Sequence, residues 1–173
     1  MLDWAAIING ALLNGAWLSL ALVTIMLISA AIAPDMWVGD YPPDIRQKYG
    51  PMSARAARIR PYFAALFFAV VLVIPILGLF SLRAVLGPIP FIAALAFGAI
   101  TLLVFNVFDL LILDWLFFCT IQPRPMVLPG TEGMAGYRNY RFHFIGFLKG
   151  LGFCAVVGLV VAGAWLLVQA LFI

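Results

Sequence analysis

A chain of 173 residues that is 66% hydrophobic and only 10% charged is too apolar for a soluble domain, where about a quarter of residues carry charge. A formal charge of +3, with no basic arm, argues against a nucleic-acid partner. Four apolar stretches, each able to cross a hydrocarbon core about 30 Å thick, take up most of the length. The prediction is therefore an all-α membrane protein, one domain over residues 1–173, with the lipid bilayer as its first partner.

The first helix is expected over about 12–33, with an earlier start within "LDWAAIINGALLNG" also compatible. It stops at Pro34, which cannot continue an ideal helix. Ala31-Ile32-Ala33 resembles the small-residue site that follows a secretory signal, but "MLDWAAIING" lacks Lys and Arg. The apolar run also exceeds a typical signal core of about 7–15 residues, so the segment is expected to stay as a membrane helix. A polar loop follows. In it "DYPPD" reads as a rigid turn, and "SARAARIRP" as a short basic surface helix drawn to anionic lipid.

The second helix is expected over about 61–82, opening on Pro61 and kinked at Pro75. "RAVLGP" is short enough to make a hairpin with the third helix, expected over about 89–121. A second polar loop, "QPRPMVLPGTEGMAGYRNYRF", contains a turn at "LPGTEG" in which Gly130 and Gly133 supply unusual backbone angles. The fourth helix is expected over about 144–173. Continuous apolar runs, rather than ten-residue alternations, favour helices over a transmembrane barrel.

Orientation follows from the basic residues. Arg46, Lys48, Arg55, Arg58 and Arg60 lie in the first polar loop, and Arg124, Arg138, Arg141 and Lys149 in or near the second; only Arg83 lies on the other side. Positive loops stay in the cytoplasm, so both termini are expected outside and both polar loops inside. Cys119 and Cys154 fall within predicted helices without metal or redox spacing, and read as buried small hydrophobes.

Within the third helix, "NVFDLLILDW" places Asn106, Asp109 and Asp114 in an otherwise lipid-like run. Measured from the outer end at about 1.5 Å per residue, Asp109 lies about 30 Å deep, at the cytoplasmic edge of the hydrocarbon. Measured back from Pro123, Asp114 and Asp109 lie about 14 Å and about 21 Å inward. The shallower placement is preferred, because Trp115 favours the interface. On an ideal α-helix the three side chains span about 140° of the surface, a sector too broad for one shared site without a partner.

Three readings follow for these carboxylates. An ion pair with Arg138, Arg141 or Arg124 would pin the second loop to the membrane face. A carboxyl in low dielectric could hold and release a proton or cation. A lipid-headgroup enzyme is the third, since six of the seven carboxylates and the sole histidine, His143, are expected near the cytoplasmic face. There a carboxylate–imidazole set could hold a hard cation, and Arg138 and Arg141 could orient a phosphate. No dense metal-ligand spacing or cofactor motif points to a metal or a cofactor. Gly146, Gly150, Cys154 and Gly158 recur every four residues, a small-residue row for close packing against another helix of the chain, a second copy or another membrane protein.

"NVFDLLILDW", "LPGTEGMAGY" and "FHFIGFLKG" are similar to stretches of uncharacterised prokaryotic four-helix membrane proteins. The resemblance covers the C-terminal half, implies a multi-pass protein of the bacterial cytoplasmic membrane, and brings no activity or site residue. The functional expectation is a small transporter or an accessory membrane subunit with a cytoplasm-facing carboxylate site; the alternative is an enzyme acting on a lipid headgroup or phosphate.

Overall fold

A computed structural model describes residues 2–172. Its elements are α1 (Trp4–Ile32), α2 (Pro43–Tyr49), α3 (Ala54–Leu86), α4 (Phe91–Phe108), a π-helix continuing α4 (Asp109–Ile121), and α5 (Tyr140–Phe172). Four helices are long and apolar enough to span a membrane: α1, α3, α5, and α4 together with its π extension. Exposed Leu13, Trp17, Val85, Leu167 and Leu171 would be an aggregation liability in water and form the natural lipid-facing surface of such a bundle.

Boundaries that differ from expectation have local causes: α3 runs past 82 through most of "RAVLGP" to Leu86 and ends where Gly87 takes φ 78°. α1 starts at Trp4 because Asp3 caps it, its Oδ1 accepting the Ala6 N–H at 3.0 Å. "SARAARIRP" is no separate surface helix but the opening of α3, capped by Ser53, whose Oγ accepts the Ala56 N–H at 3.2 Å. The helix continues through Pro61 because the missing donor frees only the carbonyl of Ala57, on an exposed turn where water can serve it. α5 begins at Tyr140, where the Asn139 Oδ1 accepts the Phe142 N–H at 3.0 Å; Ile173, its expected last residue, lies outside the described residues.

α1 and α4 run parallel, with Ala11 and Gly15 beside Thr101 and Val104, while α5 runs antiparallel to α4. Glycines set these contacts. A Cβ on Gly15 would collide with Val104 and the Thr101 carbonyl, and one on Gly158 would press on Ala99. Without a hydrophobic drive between helices in lipid, such close backbone approach is a main source of association. The buried centre is built from Ile7, Leu18, Leu22, Phe97, Leu102 and Trp165. At the end bearing the α1 N-terminus, the Gln169 amide donates to the Ile89 carbonyl at 3.0 Å and accepts from Arg83 at 3.1 Å, tying α3, α4 and α5 together.

At the opposite, basic end the two polar loops fold onto each other and onto the π-helix. Val38, Tyr41, Ile45, Leu128 and Tyr137 surround Phe118 and Cys119. The loops thus cap the Phe118–Cys119 face of the π-helix, while Leu111, Leu116 and Ile121 stay exposed with the lipid-facing surface. Polar contacts hold the cap together. Asp44 accepts the Gly136 N–H at 2.9 Å, Tyr41 donates to the Met126 carbonyl at 3.0 Å, and the Tyr137 hydroxyl accepts the buried Leu128 N–H at 2.9 Å while bonding Thr131 at 2.7 Å. Gly130 and Gly133 adopt φ of 80° and 75°, angles that L residues rarely take.

Candidate functional site

The site is built where α4 stops being an α-helix. From Asp109 to Ile121 the chain winds as a π-helix of 13 residues, whereas such winding usually lasts one turn and is frequent at functional sites. Its end is secured by bonds reaching back five residues, from Thr120 Oγ1 to the Trp115 carbonyl and from Gln122 N–H to the Phe117 carbonyl, both at 2.7 Å. Gln122 closes it in a left-handed conformation with φ 51°.

This winding changes the geometry of the carboxylates. Residues five apart stack on a π-helix, so Asp109 and Asp114 share a face; the 140° sector expected from ideal α spacing does not form. Asp114 Oδ1 lies 2.8 Å from His143 Nδ1, with the Asp114 side chain 26% and that of His143 6% exposed. With the carboxylate ionised and the ring neutral, Nδ1 carries the proton and the lone pair is at Nε2. That Nε2 is buried and has no hydrogen-bond partner. The ring is wedged between Phe118 and Phe142, with centroids at 4.7 Å and 5.3 Å.

The expected partnership of Asp114 with Arg138, Arg141 or Arg124 is not what the fold builds. Among the described residues the sole ionic contact is Asp114–His143, and Arg138, Arg141 and Arg124 stand exposed without an acidic partner within ion-pair distance. The reason is the cap itself: Tyr137 turns inward as its anchor, which leaves the neighbouring arginine outward. The first loop instead supplies the nearby charge. Asp40 lies within electrostatic range of Asp114 and Asp109, and of Arg60 and Arg46. Crowding by protein atoms pushes the Asp40 carboxyl above its ordinary value although the residue sits at the surface; Arg60 and Arg46 oppose the rise, and Asp114 adds to it.

Asn106 lies one turn before Asp109 and donates to the Phe147 carbonyl of α5 at 3.1 Å, an approach that Gly150 permits by having no Cβ in the way. The α5 row is thus spent within the chain: Gly150 against Asn106, Gly158 against Ala99, and Cys154 buried. Gly146 meets nothing within 4 Å. Trp115 anchors the start of α5, its Nε1 donating to the Tyr140 carbonyl at 3.4 Å over rings 5.9 Å apart. Among the described residues no three His, Cys, Asp or Glu side chains gather as a metal-binding group. Arg46 on α2 and Arg60 on α3 reach the neighbourhood of the site through Asp40; a helical period continued back through Pro61 is the sequence signal for Arg60.

The fold and site define a four-helix membrane protein with a carboxylate–imidazole centre under a folded cap. No protein-family model, curated protein or solved structure matches the chain.

Proposed function

We propose that the chain is a small transporter, or an accessory subunit of a membrane complex, in the bacterial cytoplasmic membrane, with its basic cap in the cytoplasm. The Asp109–Asp114–His143 centre takes up and releases a proton or a small cation. The observation that carries this reading is the 2.8 Å Asp114–His143 contact with a second carboxylate stacked one π turn deeper. Ionisable groups within a span are costly and mark ion or proton pathways. The nine basic residues grouped at the cap end support the orientation.

The test is proton flux in proteoliposomes carrying an internal pH dye and an imposed potential. Wild type is expected to exceed empty vesicles, and Asp114→Asn and Asp109→Asn to fall to the vesicle background while still eluting as folded protein. Wild-type flux equal to background removes the transporter reading and leaves the accessory one.

One feature favours a second reading. A carboxylate-oriented imidazole with a free Nε2 is also the arrangement of a general base, which fits an enzyme acting on a lipid headgroup or phosphate. That reading predicts headgroup turnover by purified protein that His143→Ala abolishes.

A further inference from the structure

Helix α3 leaves a lateral crevice against α4 and α5, with a cavity of about 210 Å³. Its walls are Phe67 and Val71 from α3, Leu102 and Phe105 from α4, and Phe153 and Cys154 from α5, and Phe153 is 42% exposed, so the crevice opens on the lipid-facing surface. An engineered apolar cavity of about 150 Å³ stays dry and binds benzene. A larger apolar space facing the bilayer is a place for hydrocarbon.

Polarity changes at one end of this crevice on all three helices. Arg60 precedes Phe67 by seven residues and Val71 by eleven, one stripe of α3 reaching about 10 Å toward the cap. Lys149 precedes Phe153 by four residues on α5, and Asn106 lines the crevice one turn before Asp109. Arg55 and Arg58 stand exposed on other faces of α3, so Arg60, which Asp40 of the first loop also faces, is the arginine in line with the crevice. An apolar slot that ends, a few turns on, at basic side chains at the membrane boundary has the layout of a phospholipid: chain below, anionic headgroup above.

From this layout we infer that the crevice is a binding site for one acyl chain of an anionic glycerophospholipid, whose headgroup is held by Arg60 with Lys149. The inference stands independently of whether Asp114 and His143 move protons. Occupancy would fill the gap beside Asn106 and brace α3, the most loosely packed of the spanning helices.

The experiment uses full-length protein in phosphatidylcholine nanodiscs doped with phosphatidylglycerol bearing a mid-chain diazirine, with phosphatidylcholine bearing the same group as the comparison. Photolysis and peptide mass spectrometry are expected to place adducts on residues 67–71, 102–105 and 150–154 in preference to lipid-facing Leu13, Trp17 and Leu167. The anionic probe should exceed the zwitterionic one there by about fivefold, the factor that corresponds to about 1 kcal/mol per basic residue near an anionic lipid. Arg60→Gln should remove that preference, and Cys154→Trp should clear the crevice of adducts without changing the control positions. Val71→Trp makes the same test from the opposite wall where Cys154→Trp does not fold. Uniform labelling of all lipid-facing residues, or equal crevice labelling by the two probes, overturns the proposal.

Discussion

The two ends of the bundle are held by different physics. Away from the cap, α1, α4 and α5 meet through glycines and alanines, so backbones touch, and the Arg83–Gln169–Ile89 bonds add a polar tie only at the very end. At the cap end the same α4 chain rewinds as a π-helix, and contact passes to aromatic rings, hydroxyls and a carboxylate–imidazole pair. Small residues permit only one close arrangement, whereas polar and aromatic contacts can be rearranged one bond at a time. That places the adjustable chemistry beside the loops and the fixed frame away from them.

The frame should break first and hardest. Gly15→Leu forces a side chain into Val104 and the Thr101 backbone carbonyl, and since backbone cannot swing aside, a cost near the top of the overpacking range, about 3 kcal/mol, is expected. Thermal unfolding in detergent measures it. Gly146→Leu is the matched control, because nothing lies within 4 Å of Gly146, and its melting temperature should stay at the wild-type value. Equal losses from the two substitutions would erase the distinction between a packed frame and a lipid-facing surface.

The cap should yield next, and locally. Tyr137→Phe leaves the buried Leu128 N–H without its acceptor and Thr131 without its hydroxyl partner, a cost of about 1–3 kcal/mol for a stranded buried donor. Protease cleavage within 124–138 should accelerate while global unfolding moves less than for Gly15→Leu. A global loss as large as that of Gly15→Leu would mean that cap and frame unfold as one unit.

Sequence reasoning reached the frame more readily than the cap. Helix count, hairpin order and the grouping of basic loops follow from apolar runs and charge counts, which depend on composition over about 20 residues. The glycine row on α5 showed in its spacing, although sequence could not say that α4 of the same chain would fill it. The π winding was out of reach, because "DLLILDWLFFCTI" carries no local mark of i→i+5 bonding; the winding matches contacts with Tyr137, Tyr140 and His143, which are distant in sequence. Asp109 and Asp114 therefore appeared to diverge, and the arginines nearest in sequence seemed the natural partners. His143 was visible only as a lone histidine near the right face.

The smallest effect is expected where cap and site share charge. Crowding by protein atoms raises the surface Asp40 carboxyl above its ordinary value of 3.8, against the pull of Arg60 and Arg46. A carboxyl raised in the folded state holds its proton more tightly there than in the unfolded chain, so wild-type stability gains as pH falls through the carboxylate range and loses as pH rises through the raised value. Asp40→Asn carries no such dependence. Its melting temperature should therefore lie slightly above wild type at pH 7, with the difference closing as the medium is taken below the ordinary carboxylate value. Paired unfolding curves across that range test this directly. A variant less stable than wild type at pH 7 would mean that the attraction of Asp40 to Arg60 and Arg46 outweighs that crowding, making this corner of the cap a charge clamp and setting it closer to the rigid frame than its rearrangeable contacts suggest.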